Sequence, residues 1–245
     1  MNYLKLLFGL LICSNFVLGQ SSTYEVVYSK QIFFEINDSL NYSKEKEKAL
    51  RLAMQEKRLF SLITNTSESI YKSIPSITNS QNESGFKVSF SESQNAIYNN
   101  LIDSINIVEE TYPAKFMIYD SLNQYNWKLI DEEKIYKGYR IKKAETLYND
   151  LKLVAWYTSE IPINSGPEYV WGLPGLILIV ESSRLTSTGK QLITMESLHE
   201  SDEIEIKKPI IKRNNYISKK EFEVLLRDFI KKENEMLGIG VDTDD

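Results

Sequence analysis

The chain has 245 residues, with 29 Lys and Arg against 34 Asp and Glu, one His, one Cys and a formal charge of −5. At this length and 42% apolar composition it buries enough surface to fold without a disulfide or metal staple. The acidic balance excludes a broad nucleic-acid surface, which needs clustered cations to displace counterions. One imidazole and one thiol leave little from which to build a metal centre or a His-based catalytic site.

Residues 1–19 read as a signal peptide. Lys5 supplies a basic n-region, Leu6 to Leu18 form an apolar run, and Val17 and Gly19 are small enough to flank a cleavage site before Gln20. That run is shorter than the roughly 20 residues that span a bilayer, so no transmembrane span is expected. Ile12 before Cys13 makes a poor lipidation site. Removing the leader takes Lys5 and Cys13 with it, leaving a charge of −6 and no thiol chemistry. Residues 20–237 then form one domain, and 238–245 an acidic flexible tail.

Tyr24 to Ile36 reads as a long first strand. Ser43 is a credible N-cap for a helix carrying Ala49, Leu50, Ala53 and Met54 on one face. Arg58–Ile63 and Ser69–Ser73 are short strands, and Ser76 to Gly85 is a polar loop. Phe86, Val88 and Phe90 alternate with polar residues as a strand with one wet face. Further strands are expected at Ala96–Asn100, Ser104–Thr111, Phe116–Asp120 and Tyr125–Ile130, where Tyr125, Trp127 and Leu129 share a face. Others follow at Tyr139–Ala144, Leu151–Thr158, Leu176–Glu181 and Gln191–Leu198. Polar turns without intervening helices make successive strands antiparallel neighbours. Ser218 and Glu221 form a capping box, and Phe222, Leu225, Leu226, Phe229 and Ile230 trace an apolar helix face that most simply packs on the sheet. Gly238 ends that helix.

The fold class that follows is mainly β: one curved antiparallel sheet or half-barrel of eight to ten strands, with helices on its concave face. It is reminiscent of lipoprotein-carrier folds; a closed β-sandwich or barrel is the alternative. A monomer is expected.

Few residues point to chemistry. His199 lies among carboxylates with no nucleophile motif and no second imidazole, and the glycines form no phosphate-cradling loop. Asp242, Asp244 and Asp245 sit in a tail that reads as solvated. No catalytic residue, cofactor or metal is assigned. Asp38-Ser39-Leu40, Asp103-Ser104-Ile105 and Asp120-Ser121-Leu122 read first as turns, because Asp and Ser bond their own backbone. They also resemble the O-glycosylation acceptor motif of exported Bacteroidota proteins, which makes Ser39, Ser104 and Ser121 candidate sites.

The distinctive segment runs from Trp156 to Val180. Gly172 and Gly175 permit positive φ or close backbone approach, while Pro174 pushes Leu173 to an extended conformation. Leu176 to Val180 is apolar without alternation, so it reads as a strand covered on both faces. Gly172-Leu173-Pro174-Gly175-Leu176-Ile177 resembles the signature hexapeptide of the GLPGLI family of exported Bacteroidota proteins. Trp127, Lys137-Gly138-Tyr139, Lys143-Ala144, Ala155-Trp156-Tyr157-Thr158, Ile161-Pro162 and Gly166-Pro167 fit the same pattern, as does Asn65 to Lys72. Ile141 stands where the family often has a cysteine.

That family has no established activity, so the resemblance implies an exported cell-envelope protein, periplasmic or outer-membrane-associated, and brings no catalytic residues. A non-enzymatic binding protein for an apolar ligand, lipid or lipoprotein is expected. The alternative is a partner of an outer-membrane transport or secretion complex. The hexapeptide reads first as a tight double turn feeding a buried strand. The functional alternative is an exposed ligand or partner platform of Trp156, Tyr157, Tyr169 and Trp171, since amphipathic aromatics favour such surfaces.

Overall fold

Among the described residues, eleven strands form a single sheet in which every paired neighbour is antiparallel. The computed structural model describes residues 22–36, 42–75, 94–201, 203–210 and 216–236. The leader, Ser39, the 76–90 loop and strand, Gly238 and the acidic tail lie outside the described residues.

The elements are β1 (Thr23–Phe33), α1 (Lys44–Gln55), β2 (Arg58–Thr64), β3 (Glu68–Ser73), β4 (Gln94–Asn100), β5 (Ile105–Glu110), β6 (Phe116–Ser121), β7 (Lys128–Tyr136), β8 (Tyr139–Tyr148), β9 (Leu151–Thr158), β10 (Leu176–Arg184), β11 (Lys190–Ser201) and α2 (Lys219–Met236). The strand order is β6-β5-β4-β3-β2-β1-β11-β10-β9-β8-β7. Two meanders therefore meet at a central seam, where β1 pairs with β11 from Thr23↔Ser201 to Phe33↔Lys190. Eleven strands exceed the expected eight to ten.

The curvature follows from chain length. β6 and β7 are the two outermost strands, yet only residues 122–127 join them. Ten strand spacings of ~4.8 Å would separate flat edges by about 48 Å, whereas this connection reaches about 25 Å at most. The sheet must curl until its edges approach, without closing into a barrel. The expected strand at Tyr125–Ile130 is thereby corrected. Strand β7 begins only at Lys128, residues 122–127 are a strap across the opening, and Leu129 is exposed rather than facing inward with Tyr125 and Trp127.

The helices contribute little to filling the concave face. In α1, Ser43 caps the first turn by accepting from Lys46 N at 3.2 Å, and only Ala49 and Ala53 are buried. In α2 the capping box forms as read, with Glu221 N donating to Ser218 Oγ at 3.2 Å and Ser218 N to Glu221 Oε2 at 2.7 Å. Of its apolar stripe only Phe222 is buried, edge-on to Phe116 at 5.5 Å; Leu225, Phe229 and Ile230 stay exposed. The stripe packs on the core at Phe222 and the partly buried Leu226, and the expectation is corrected only for Leu225, Phe229 and Ile230. The space is taken instead by the β9–β10 connection, whose Ile161, Ile163, Val170 and Leu173 are buried in the main core with Tyr28, Leu62 and Met195.

Ile217, just before α2, makes a parallel bridge to Ile118, exchanging Tyr119 N–Ile217 O and Ile217 N–Met117 O bonds of 3.0 Å. The β6 edge is thus covered by the chain itself.

Candidate functional site

The β9–β10 connection is built by turn chemistry. Successive short turns run through it, with Ile163 N donating to Ile161 O and Ser165 N to Ile163 O, each at 2.8 Å. They send Ile161, Ile163 and Ser165 inward and Pro162 and Asn164 outward. Gly172 has φ +90° and Gly175 φ +151°. A Cβ on Gly175 would lie 2.0 Å from the Thr158 carbonyl oxygen, so only glycine lets β10 start against the end of β9. Leu176 to Val180 are all buried. The hexapeptide thus holds a backbone crossing together, with Leu173 buried and Pro174 exposed.

The strap is stitched to this connection by reciprocal side-chain bonds. Trp127 Nε1 donates to Trp171 O at 2.9 Å, Trp171 Nε1 to Asn123 O at 2.7 Å, and Tyr125 OH to Tyr169 O at 3.2 Å. Tyr148 OH donates to Asn123 Oδ1, and Asn123 Nδ2 to Tyr125 OH, each at 3.1 Å. Burial pushes the Tyr125 hydroxyl up to about 12, so it stays neutral and donating.

The expected aromatic platform does not form as one exposed surface. Trp156 and Tyr157 are consecutive in β9 and so point to opposite faces. Trp156 is 9% exposed beneath Lys134 Nζ, 3.8 Å from its ring centre, and Tyr157 is 4% exposed within the core. Tyr169 and Trp171 are partly buried at the strap crossing, and of the four only Tyr169 lines the cleft.

That cleft, of about 630 Å³, opens at one end of the half-barrel, between the sheet's inner face and the strap, the β9–β10 connection and the first turn of α2. Strand register builds its sheet wall. Ile32 pairs with Gln191, Gln191 with Ser182, and Ser182 with Leu153, giving one row across β1, β11, β10 and β9. Tyr125 and Tyr148 meet edge-on at 5.1 Å on another side. The polar anchor is Lys30, whose Nζ lies 2.6 Å from Glu168 Oε1, while Gln191 Nε2 reaches Glu168 Oε2 at 3.1 Å. Arg184 holds Asp150 through both carboxylate oxygens at 2.9 Å on the rim.

The sequence did not single out Lys30 or Glu168. The available signal was a lysine inside the expected first strand, Tyr24 to Ile36, and a glutamate after Gly166-Pro167 in the distinctive segment.

Elsewhere, Ser29 Oγ donates to Glu196 Oε1 at 2.6 Å and Lys137 Nζ to Oε2 at 2.9 Å. The Ser29 bond foremost, with Lys137, holds the Glu196 carboxyl down to about 2. His199 is exposed on β11 opposite Glu25, and no metal-binding cluster of His, Cys, Asp and Glu occurs among the described residues. Ser121 is exposed and Ser104 half-buried at their turns, where Ser121 N donates to Asp120 Oδ1 at 2.7 Å. No helix among the described residues is long and apolar enough to cross a membrane.

Residues 107–179 match the model of a protein family of unknown function, Porph_ging. The match takes in the strap, β7 to β9, the β9–β10 connection with its hexapeptide, and the buried start of β10. No curated protein matches the chain. Among solved structures, PNGF-II in its C2 crystal form is similar at 18% identity and a TM-score of 0.51, covering 86% of this chain and 33% of that one. Its P21 form gives 17%, 0.50, 84% and 33%. This chain therefore spans about a third of PNGF-II, and at that identity the likeness concerns the fold alone. A domain described as an outer membrane lipoprotein-sorting protein of Vibrio parahaemolyticus overlays more loosely, at 8% identity and a TM-score of 0.31, covering 75% of this chain and 87% of that domain.

Proposed function

We propose that the protein is a non-enzymatic binding protein of the cell envelope, exported by the leader read in residues 1–19, which takes its ligand in the cleft at the open end of the half-barrel. The observation that carries this reading is the cleft itself. About 630 Å³ lies within the range of small-molecule sites, and its walls set aliphatic side chains and tyrosine rings among more numerous polar and charged groups.

The expected apolar ligand is narrowed accordingly. A purely apolar carrier would leave the concave face free, whereas Ile161, Ile163, Val170 and Leu173 occupy it. The remaining space suits an amphiphile, with its apolar part against Leu151, Leu153 and Val180 and its polar part toward Lys30 and Gln191. Membership of the GLPGLI family belongs to the same proposal, supported by the hexapeptide lying inside the matched residues.

The test is native mass spectrometry of the protein gently extracted from its own envelope. An adduct of small-molecule mass is expected, released on denaturation and lost in Ser182→Trp, which fills the cleft from β10. A bare wild-type chain that also takes up no alkyl amphiphile refutes the reading.

A second reading, docking on an outer-membrane complex, is favoured by one observation. Leu225 and Ile230 are 46% and 41% exposed on α2, beside Phe229 packed edge-on to Tyr112 at 5.7 Å. Crosslinking from position 225 to a single outer-membrane protein, abolished by Phe229→Lys, is the outcome that favours it over the cleft.

A further inference from the structure

We propose that the cleft recognises a carboxylate, and that Glu168 is the chain's own occupant of that carboxylate site. The inference rests on the cleft being the ligand site and names the group the ligand carries there.

The donors are rigid. Lys30 and Gln191 sit on adjacent paired strands, β1 and β11, at the centre of the sheet. Lys30 is buried, its side chain only 6% exposed, and a cation so placed demands an anionic partner. Its ammonium meets one carboxylate oxygen at 2.6 Å and the Gln191 amide meets the other at 3.1 Å. Together they form a two-point receptor that matches a planar carboxylate.

The acceptor is held by softer structure. Glu168 lies on no strand. It is the first central residue of the turn closed by Val170 N donating to Pro167 O at 3.1 Å, and its φ is +56°. A positive φ there favours Gly, Asn or Asp, so a glutamate keeps this conformation against its backbone preference. Asn149, which also lines the cleft at positive φ (+55°), is of a type at home there. The Glu168 side chain is also the more solvent-facing partner, 20% exposed.

An incoming carboxylate reproduces both bonds to Lys30 and Gln191, and the Glu168 side chain rotates toward solvent. Lys190 and Lys219 on the rim favour an anion's approach; Glu223 opposes it, and Asp150 is engaged by Arg184. Val170, Val180, Leu151 and Leu153 offer the surface for an aliphatic tail. A carboxylate-bearing amphiphile is the class of ligand this describes.

The experiment is calorimetric titration of the mature chain with octanoate, octan-1-ol and octyl phosphate. Wild-type protein is expected to bind octanoate at least tenfold tighter than octanol, and tighter than octyl phosphate, whose tetrahedral head fits the two-point receptor less well. Glu168→Gly, which suits the positive φ and empties the site, should tighten octanoate a further tenfold. Glu168→Gln, which keeps the shape and removes the charge, should shift it the same way and guards against a variant that merely misfolds. Lys30→Met should abolish the preference over octanol. If octanol binds as tightly as octanoate in wild type and both Glu168 variants, the carboxylate proposal falls while the cleft reading stands. If octyl phosphate binds tightest, the head group is wrong. If no probe binds any variant, both proposals fall.

Discussion

Replacing Gly175 by alanine separates a steric requirement from mere glycine preference, with Gly172 as the internal control. A methyl group at 175 would lie 2.0 Å from Thr158 O and 2.6 Å from Thr158 C, against an ordinary contact of 3.4 Å or more. Both obstacles are backbone, so the start of β10 must move by over an ångström. That displacement loosens the fully buried Leu176 and stretches the 3.0 Å bond from Leu176 N to Ile161 O. A loosened leucine costs about 2–5 kcal/mol and an unsatisfied buried donor about 1–3 kcal/mol. Gly172→Ala meets nothing nearer than Trp127 Nε1 at 3.8 Å and carries only the conformational penalty of positive φ, about 1–2 kcal/mol. At about 2–4 °C per kcal/mol for a domain of this size, Gly172→Ala should lower Tm by roughly 2–8 °C and Gly175→Ala, at about 3–8 kcal/mol, by roughly 6–32 °C. Scanning calorimetry with urea midpoints as a cross-check measures both. Equal shifts for the two variants would refute the claim that backbone contact at Thr158 dictates the second glycine.

Trp171→Phe removes the indole bond to Asn123 O and should cost about 1–2 kcal/mol. Amide exchange at 122–127 should quicken ahead of the rest of the sheet, and uniform quickening would contradict the stitching role of that bond. Glu196 has its carboxyl depressed from 4.5 to about 2, so its contribution to stability is full above about pH 4.5 and lost as pH falls through about 2. Glu196→Gln should flatten the stability profile across that window and leave its slope above pH 5 unchanged, as read from urea midpoints against pH. Sugar, if attached, should sit on exposed Ser121 before half-buried Ser104. An intact mass of the native protein equal to bare residues 20–245 disposes of both, and of Ser39.

Local pattern carried most of the sheet, because each of the eleven described strands overlaps a segment whose alternation or β-branched content already marked it. The capping residues Ser43 and Ser218 were legible for the same reason, since a cap acts within four residues. What failed was long-range. Tyr125 and Trp127 alternate as a strand would, yet their polar tips are spent on backbone carbonyls 44 residues away, which makes them a strap. The platform failed on a rule visible beforehand: adjacent strand residues such as Trp156 and Tyr157 cannot share a face. Lys30 and Glu168, 138 residues apart, meet only because β1 lies beside β11 and the β9–β10 connection folds inward, and no local window contains that fact.

The central seam also sets a timetable. β1 can pair with β2 almost as soon as both have emerged, but its other edge waits for β11, more than 150 residues later in the chain. During that interval the strand destined for the middle of the sheet behaves as an open edge, the feature most prone to mispairing. Strands β2 to β6 and β7 to β11 can each zip locally, hairpin by hairpin, while the final closure must bring the two ends of the domain together. A chain that emerges from its N-terminus onward therefore finishes its sheet last at the centre, and only once β11 has arrived.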